Sequence, residues 1–419
     1  MCKRMKGKIV LSGVALMLVL IMWPLSALSA EMDKGPIKIG YLSTSSGTFA
    51  ADGEFLRNGF QLYMEEVNYT VAGRKIEVIH EDDKMDPRTG LVKSKRLVEE
   101  KQVHMVAGVI PSHIAYAIKG YLVGKKTPFI ITNAGAVGLT SYDYSPYVFR
   151  SSMSNAQHSH PLGEYLYEKG HRALVVVTSD YSAGYEHVGG VCRTFTGAGG
   201  KIIEEIYVPL GTMDFAPYLS RIDPEKVDSV LGFFGGVDSI NFVKQYAQYG
   251  LKGKVPLYSL HMIMEHLAPE MGEAAVGIVD CSSYMPSLNL TNKEHLNFVS
   301  AYRNRYGKWP NFLGEGSYVG AQMIVKALQA INGNAEDTDA FIKAMEGVDI
   351  VAPRGPFKLD AYHNPVQNEY VSVFKFKNGE PYLEIIKTYN NVSQFWKWTP
   401  EEFIKMPTYP DMKGKWTQN

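Results

Sequence analysis

The residues best placed to do chemistry in this chain lie in one short stretch, Val103 to Ala117. The apolar run Met105 to Ile110 reads as a buried parallel strand. Pro111 and Ser112 end it, and the apolar-periodic segment Ile114 to Val123 opens a helix. A loop at the carboxyl end of a parallel strand, where a helix begins, is where open α/β sheets bind ligands. The first turn of that helix offers unpaired N–H groups and a partial positive charge, which suits a carboxylate. Ser112 has two readings here. It caps the helix, or it also offers its hydroxyl to a ligand.

The other candidate motifs do not complete a catalytic set. Gly314-Glu315-Gly316-Ser317-Tyr318-Val319-Gly320 is one residue off a dinucleotide fingerprint and follows no strand. It also fails as a nucleophile elbow, because Glu315 and Val319 stand where the two glycines belong. His158-Ser159-His160 has the residue type of a metal site but no carboxylate or Cys partner nearby in sequence. It is read as a surface pair. No zinc-type or phosphate-loop motif is present, so neither a metal nor another cofactor is expected, and the chain is read as a non-enzyme.

These residues need a scaffold to position them, and the periodicity supplies one. Ile37 to Ser43, Lys75 to His80, Met105 to Ile110 and Phe129 to Thr132 read as strands, alternating with helices from Gly53 to Asn68, Pro87 to Glu100 and Ile114 onward. That alternation predicts a parallel sheet covered on both faces. The pattern restarts at Ala173 to Thr178, which points to a second α/β unit. Near the end, Tyr370 to Lys387 reads as a hairpin turning at Asn378-Gly379. Asn390 to Asn419, rich in Trp and Pro, is expected to pack over one lobe.

Composition narrows the partners. Lys3, Arg4, Lys6 and Lys8, then the apolar run Ile9 to Trp23 and small residues to Ala30, form a secretory leader over residues 1–30. No Cys follows the apolar run, so no lipid attachment is expected. The full chain carries 43 basic and 43 acidic residues, and loss of the four leader cations leaves a mature charge of −4. Nothing strongly basic remains to attract nucleic acid or an anionic membrane. Cys192 and Cys281 either pair in an oxidising compartment or stay separate buried thiols.

Ile37-Lys38-Ile39-Gly40, Asn58-Gly59-Phe60-Gln61-Leu62, Glu65-Glu66-Val67-Asn68, His80-Glu81-Asp82-Asp83, Asp86-Pro87, Ser179-Asp180-Tyr181, Gly184 and Gly355-Pro356-Phe357 follow one another in a specific order and spacing. In this the chain resembles the periplasmic type I solute-binding proteins of ABC importers, above all the branched-chain amino acid (leucine/isoleucine/valine) binding group. The resemblance implies two doubly wound α/β lobes joined by three hinge crossovers. It places residues 37–149 and 285–354 in one lobe, 150–284 and 355–389 in the other, and 390–419 in an extension. It also implies an exported, periplasmic monomer that closes on a small molecule and delivers it to a membrane permease.

The resemblance also carries ligand positions. The serine that binds the ligand carboxylate falls at Ser112, with His113 where a small polar residue is usual. A backbone contact falls at Ala134, and the family's threonine at Ala136, without its hydroxyl. The first-loop aromatic falls at Asp52. The second-lobe tyrosines fall at Tyr181 or Ala183 and at Val237. The glutamate that pairs with an α-ammonium falls at Leu260, beside His261, and a late aromatic falls at Phe312 or Leu313. The carboxylate side thus survives while the ammonium side does not. A small organic acid with an apolar or aromatic body is expected. A branched-chain amino acid is the alternative, and it needs Asp52 or Glu315 to reach the amine.

Overall fold

The computed structural model describes residues 35–47 and 49–418; the leader expected at residues 1–30 lies outside them. Strands β1 (Ile37–Ser43), β2 (Thr70–Val71), β3 (Arg74–Asp82), β4 (Met105–Gly108), β5 (Phe129–Ile131) and β6 (Val148–Arg150) form a first sheet in the order β2-β3-β1-β4-β5-β6. All its pairings are parallel except the short β2–β3 hairpin. Alternate residues of its strands face opposite layers. Tyr41 and Met105 join one apolar cluster, while Leu42 and Val106 join another. Both faces are therefore covered, as near-continuous apolar strands require.

The second sheet begins with β7 (Ala173–Ser179), β8 (Lys201–Val208), β9 (Ser229–Phe233), β10 (Leu257–Ser259) and β11 (Val279–Ser282), and continues with β12 (Ile350–Ala352), β13 (Gly355–Leu359), β14 (Pro365–Lys377) and β15 (Glu380–Val392). Its order is β12-β13-β14-β11-β10-β9-β7-β8, with β15 pairing β14. The half from β11 to β8 is parallel, and the half from β14 outward is antiparallel. The second lobe is thus mixed rather than purely parallel, because short turns of two to five residues replace crossover helices there. One such turn is Asn378-Gly379, with φ of 54° and 81° joining Lys377 to Glu380. Those left-handed values are what a type I′ hairpin needs.

The glycine-rich stretch near residue 314 lies inside the helix Phe312–Ala330, which packs on the helix Ala50–Glu66. A Cβ on Gly59 would lie 1.8 Å from the Gly314 carbonyl oxygen, so the two backbones touch there. A Cβ on Gly316 would lie 2.7 Å from the Thr132 carbonyl oxygen. These glycines serve close helix packing, not phosphate binding.

The chain passes between the lobes three times, and Arg354, on the third passage, bonds the first. Its Nε donates to Glu315 Oε1 at 2.9 Å and its Nη2 to Glu315 Oε2. Its Nη1 donates to the Ser152 carbonyl and to Gln367 Oε1, both at 2.8 Å. Both partners of the ion pair are buried. After β15 the chain packs on the second lobe. Tyr409 accepts or donates a hydrogen bond at 2.6 Å with His160 and lies under the Arg193 guanidinium, while the Trp416 amide donates to Glu205. Cys192 and Cys281 are both free and buried, which decides between the two readings of the thiols.

Removing Glu315 leaves the Arg354 charge buried without its counterion. Glu315→Ala is expected to cost about 3–5 kcal/mol of stability, measured by chemical denaturation against the native chain.

Candidate functional site

Because both sheets are parallel where they face each other, the loops after their strands converge on one cleft of about 570 Å³. The first lobe contributes Phe49 and Asp52 after β1, Ile110 to Ser112 after β4, and Asn133 and Gly135 after β5. Met153 and Asn155 line it from the first passage between lobes. The second lobe contributes Tyr181, Ala183 and His187 after β7, Phe233 to Gly235 at the end of β9, and His261 and Met264 after β10. Phe312 and Leu313 open the long helix at its edge. Most of this wall is apolar and aromatic. Lys and Arg are absent from the lining.

Ser112 is the first residue of the helix Ser112–Gly124, and Pro111 precedes it with φ −80° and ψ 132°. Ser112 is therefore not the cap, and no side chain caps this end. Its Oγ instead accepts from Asn155 Nδ2 at 3.2 Å. The first N–H groups of a helix have no partner within it, so this end keeps its donors for whatever occupies the cleft. The preceding loop is fixed in an uncommon backbone. Val109, a β-branched residue, sits at φ 71°, held by its N–H donating to the Leu42 carbonyl at 2.7 Å and its carbonyl accepting from the Ala134 amide at 3.0 Å. Such strain persists where the surroundings over-determine it.

Behind Asn155 lies Glu186, fully buried in the helix Ser182–Gly197. Its Oε2 accepts from Asn155 Nδ2 at 2.6 Å and from the Val137 amide at 3.1 Å, and its Oε1 accepts from the Tyr116 hydroxyl at 2.9 Å. Burial pushes its carboxyl up to about 7, against the pull of these donors. Across the cleft, His158 and His187 share a 2.9 Å hydrogen bond, and the His158 and His261 rings meet edge to face at 4.5 Å. Burial lowers the pKa of all three, that of His261 to about 3. They are neutral at pH 7 and add hydrogen-bonding capacity without charge. His158 and His160 are thus a buried pair, not the surface pair the sequence suggested. Among the described residues no cluster of His, Cys, Asp or Glu has the makings of a metal site.

Among the described residues, Asp52 is the one carboxylate side chain lining the cleft. It is buried, and the His266 Nε2 lies 3.2 Å from its Oδ1. Glu315 is committed to Arg354 and does not line the cleft.

Of the residues expected from sequence, Ser112, Asp52, Tyr181, His261 and Phe312 come together here, as do the alternatives Ala183 and Leu313. The others stand outside the lining. His113 contacts Tyr181 edge to face at 6.0 Å from beside the cleft. Ala134 is buried behind Asn133 and Gly135, and the Ala136 carbonyl accepts from Arg150 Nη2 at 2.5 Å. Val237 is about half exposed, two residues beyond Gly235, and Leu260 is in the second lobe's core. The sequence reading missed Asn155, Glu186 and His187. A usable signal existed for one of them: Glu186 shares a helical face with Ala183 and Gly190, so a carboxylate sits on a buried stripe.

The profile of one protein family, described as periplasmic binding protein, matches residues 36–380. The Leu/Ile/Val-binding protein homolog 6 of Brucella melitensis is 30% identical over 378 residues, covering 88% of this chain and 95% of that one. An ABC transporter substrate-binding protein from Sphaerobacter thermophilus is 33% identical, with a TM-score of 0.81 over 86% of this chain and 99% of that one. A solute-binding protein of an ABC transporter from Rhodopseudomonas palustris BisB5, solved in complex with 3,4-dihydroxybenzoic acid, is 32% identical, with a TM-score of 0.81 over 86% of this chain and 98% of its own.

A Cβ on Gly135 would fall 2.0 Å from Asn155 Oδ1 and 2.9 Å from the Asn155 amide nitrogen. Gly135→Ala is therefore expected to displace Asn155 and weaken ligand binding by about tenfold or more, the worth of one charge-assisted hydrogen bond. Titration calorimetry with the tightest-binding ligand from a screen of candidate solutes checks this.

Proposed function

Because the chain belongs to the periplasmic binding protein family, the extracytoplasmic solute-binding proteins of ABC transporters, we propose that its cleft captures an aromatic carboxylate of the benzoate class for import. The observation that carries this reading is the composition of the cleft. An open helix start with the Ser112 hydroxyl meets a wall of Phe49, Tyr181, Phe233, Phe234 and Phe312. The carboxylate lies against the first N–H groups of the Ser112 helix and accepts from Ser112. The ring stacks among the aromatic side chains, which supply most of the buried area. No cationic side chain is needed, because helix-end N–H groups stabilise a carboxylate in a dry site. The 32% identical relative solved with 3,4-dihydroxybenzoic acid supports the class of ligand.

A branched-chain amino acid is the second reading. The name of the Brucella melitensis relative favours it, and so does Asp52, a buried carboxylate facing the cleft and able to pair with an ammonium. Against it, the family's own ammonium partner falls at Leu260, which is buried in the core. In either case the leader directs the chain to the periplasm, where it acts as a monomer and hands its ligand to a permease. The lobes close over the ligand about the three passages.

Calorimetry with matched acids tests the ligand. Benzoate and 3,4-dihydroxybenzoate are expected to bind at micromolar affinity and leucine at least about a hundredfold more weakly, since an unsatisfied buried ammonium costs several kcal/mol. Ser112→Ala is expected to weaken the best acid by about tenfold or more. Tight leucine binding with inert benzoates, or an unchanged affinity in Ser112→Ala, would sink the reading. Small-angle scattering checks closure, with a smaller radius of gyration expected when a tight acid is present.

A further inference from the structure

We infer that Glu186 is the clasp that holds the two lobes together over the ligand and, through Asn155, positions the Ser112 hydroxyl to receive it. The inference rests on reading the cleft as a carboxylate site. Glu186 belongs to the second lobe, yet Tyr116 and Val137, two of its three donors, belong to the first, and Asn155 lies on the passage between them. The Tyr116 hydroxyl also accepts from the Gly138 amide at 3.0 Å, which orients its hydrogen toward Glu186. The helices Ser112–Gly124 and Ser182–Gly197 meet at this point.

The effect on Ser112 follows from donor and acceptor arithmetic. Glu186 Oε2 accepts from the Val137 amide and stays an acceptor whether or not Oε1 carries a proton, so it turns the Asn155 amide NH2, not its carbonyl, toward itself. The same NH2 also donates to Ser112 Oγ. With its lone pair engaged there, Ser112 keeps its own hydrogen for the cleft. If the Asn155 amide turned over, its carbonyl would take the Ser112 hydrogen, and the ligand would lose a donor. Glu186 is thus a positioning residue that makes one hydroxyl a donor at the moment the lobes close.

The charge environment fits this role. Tyr116, Tyr142, Arg150, Tyr181 and Tyr409 surround Glu186, beside the neutral His158 and His187. Arg150, the one cation among them, is engaged with Thr140, Asn364 and the Ala136 carbonyl. In the closed form burial raises Glu186 from 4.5 to about 7. Opening withdraws the Tyr116 and Val137 donors and part of this cover, so the carboxyl falls back toward its ordinary range. The closed form therefore takes up a proton, and this contribution to closure is complete below the ordinary value and is lost as pH rises through 7.

The test titrates the mature native chain, Glu186→Gln, Tyr116→Phe and the double variant with 3,4-dihydroxybenzoate and with leucine. Each single change is expected to raise Kd by about tenfold, with the ligand-free melting temperature moved by only a few degrees. The double variant should be no weaker than Glu186→Gln alone, because both changes remove one contact. The ratio of native to Glu186→Gln affinity should rise as pH is lowered from about 8.5 to about 6. The clasp is overturned by affinities within about twofold of native, by additive losses, or by a ratio that does not move with pH. If leucine alone binds, the benzoate reading falls, and the clasp is judged on the leucine affinities. A native chain that binds neither overturns both.

Discussion

The buried pair of Arg354 and Glu315 governs how the two lobes meet. One guanidinium reaches the long helix of the first lobe through Glu315, the first passage between lobes through the Ser152 carbonyl, and the hairpin strand of the second lobe through Gln367. A planar fork with several donors is suited to joining segments that arrive from different directions. Such a pair adds little net stability over an apolar substitute, since both charges must leave water. What it supplies is a defined junction, because an Arg held by four acceptors leaves the first and third passages few alternative arrangements.

The cleft inherits its character from that junction. Parallel strands bring their carboxyl ends to the shared boundary, so each lobe presents helix starts and loop backbone to the other. The electrostatics there rely on dipoles and neutral rings rather than on charged side chains. His158, His187 and His261 are buried deeply enough to be uncharged, and no Lys or Arg lines the wall. Polar groups concentrate at two places, the Ser112–Asn155–Glu186 chain and Asp52 with His266. Aromatic side chains fill the space between. In such a pocket the few polar groups fix the orientation of a ligand, while the apolar wall supplies most of the contact area.

The C-terminal extension acts on the same framework from outside. Phe395, Phe403, Tyr409 and Trp416 are buried against the second lobe. Tyr409 packs where a Cβ on Gly189 would come within 2.5 Å of its ring, in the helix that carries Glu186. The helix bearing the cross-lobe carboxylate is thus held on its far side by residues at the chain's end.

How much was legible in the sequence depends on the range of the interaction. Local patterns determined the strand of Met105 to Gly108, the helix from Ser112, the turn at Asn378-Gly379 and the α/β alternation. Each of these follows from side-chain periodicity or from the backbone angles a residue type allows. The strand-to-helix pattern pointed to Ser112, and the resemblance to the solute-binding family pointed to Asp52, Tyr181, His261 and Phe312; all five line the cleft. Tertiary structure decided the rest. Glu186 and Asn155 are 31 residues apart, and they bond Tyr116 and Ser112 on another lobe, a relation with no spacing to reveal it. His158 and His160 read as surface residues because polar type suggests exposure, yet packing buried them in neutral form. For Ser112 the sequence left open whether it caps the helix or offers its hydroxyl, and the fold removes the cap reading, since Pro111 takes the flanking position and Asn155 bonds the hydroxyl. Sequence sets which groups can donate or accept, and only the packed fold decides which of them face each other.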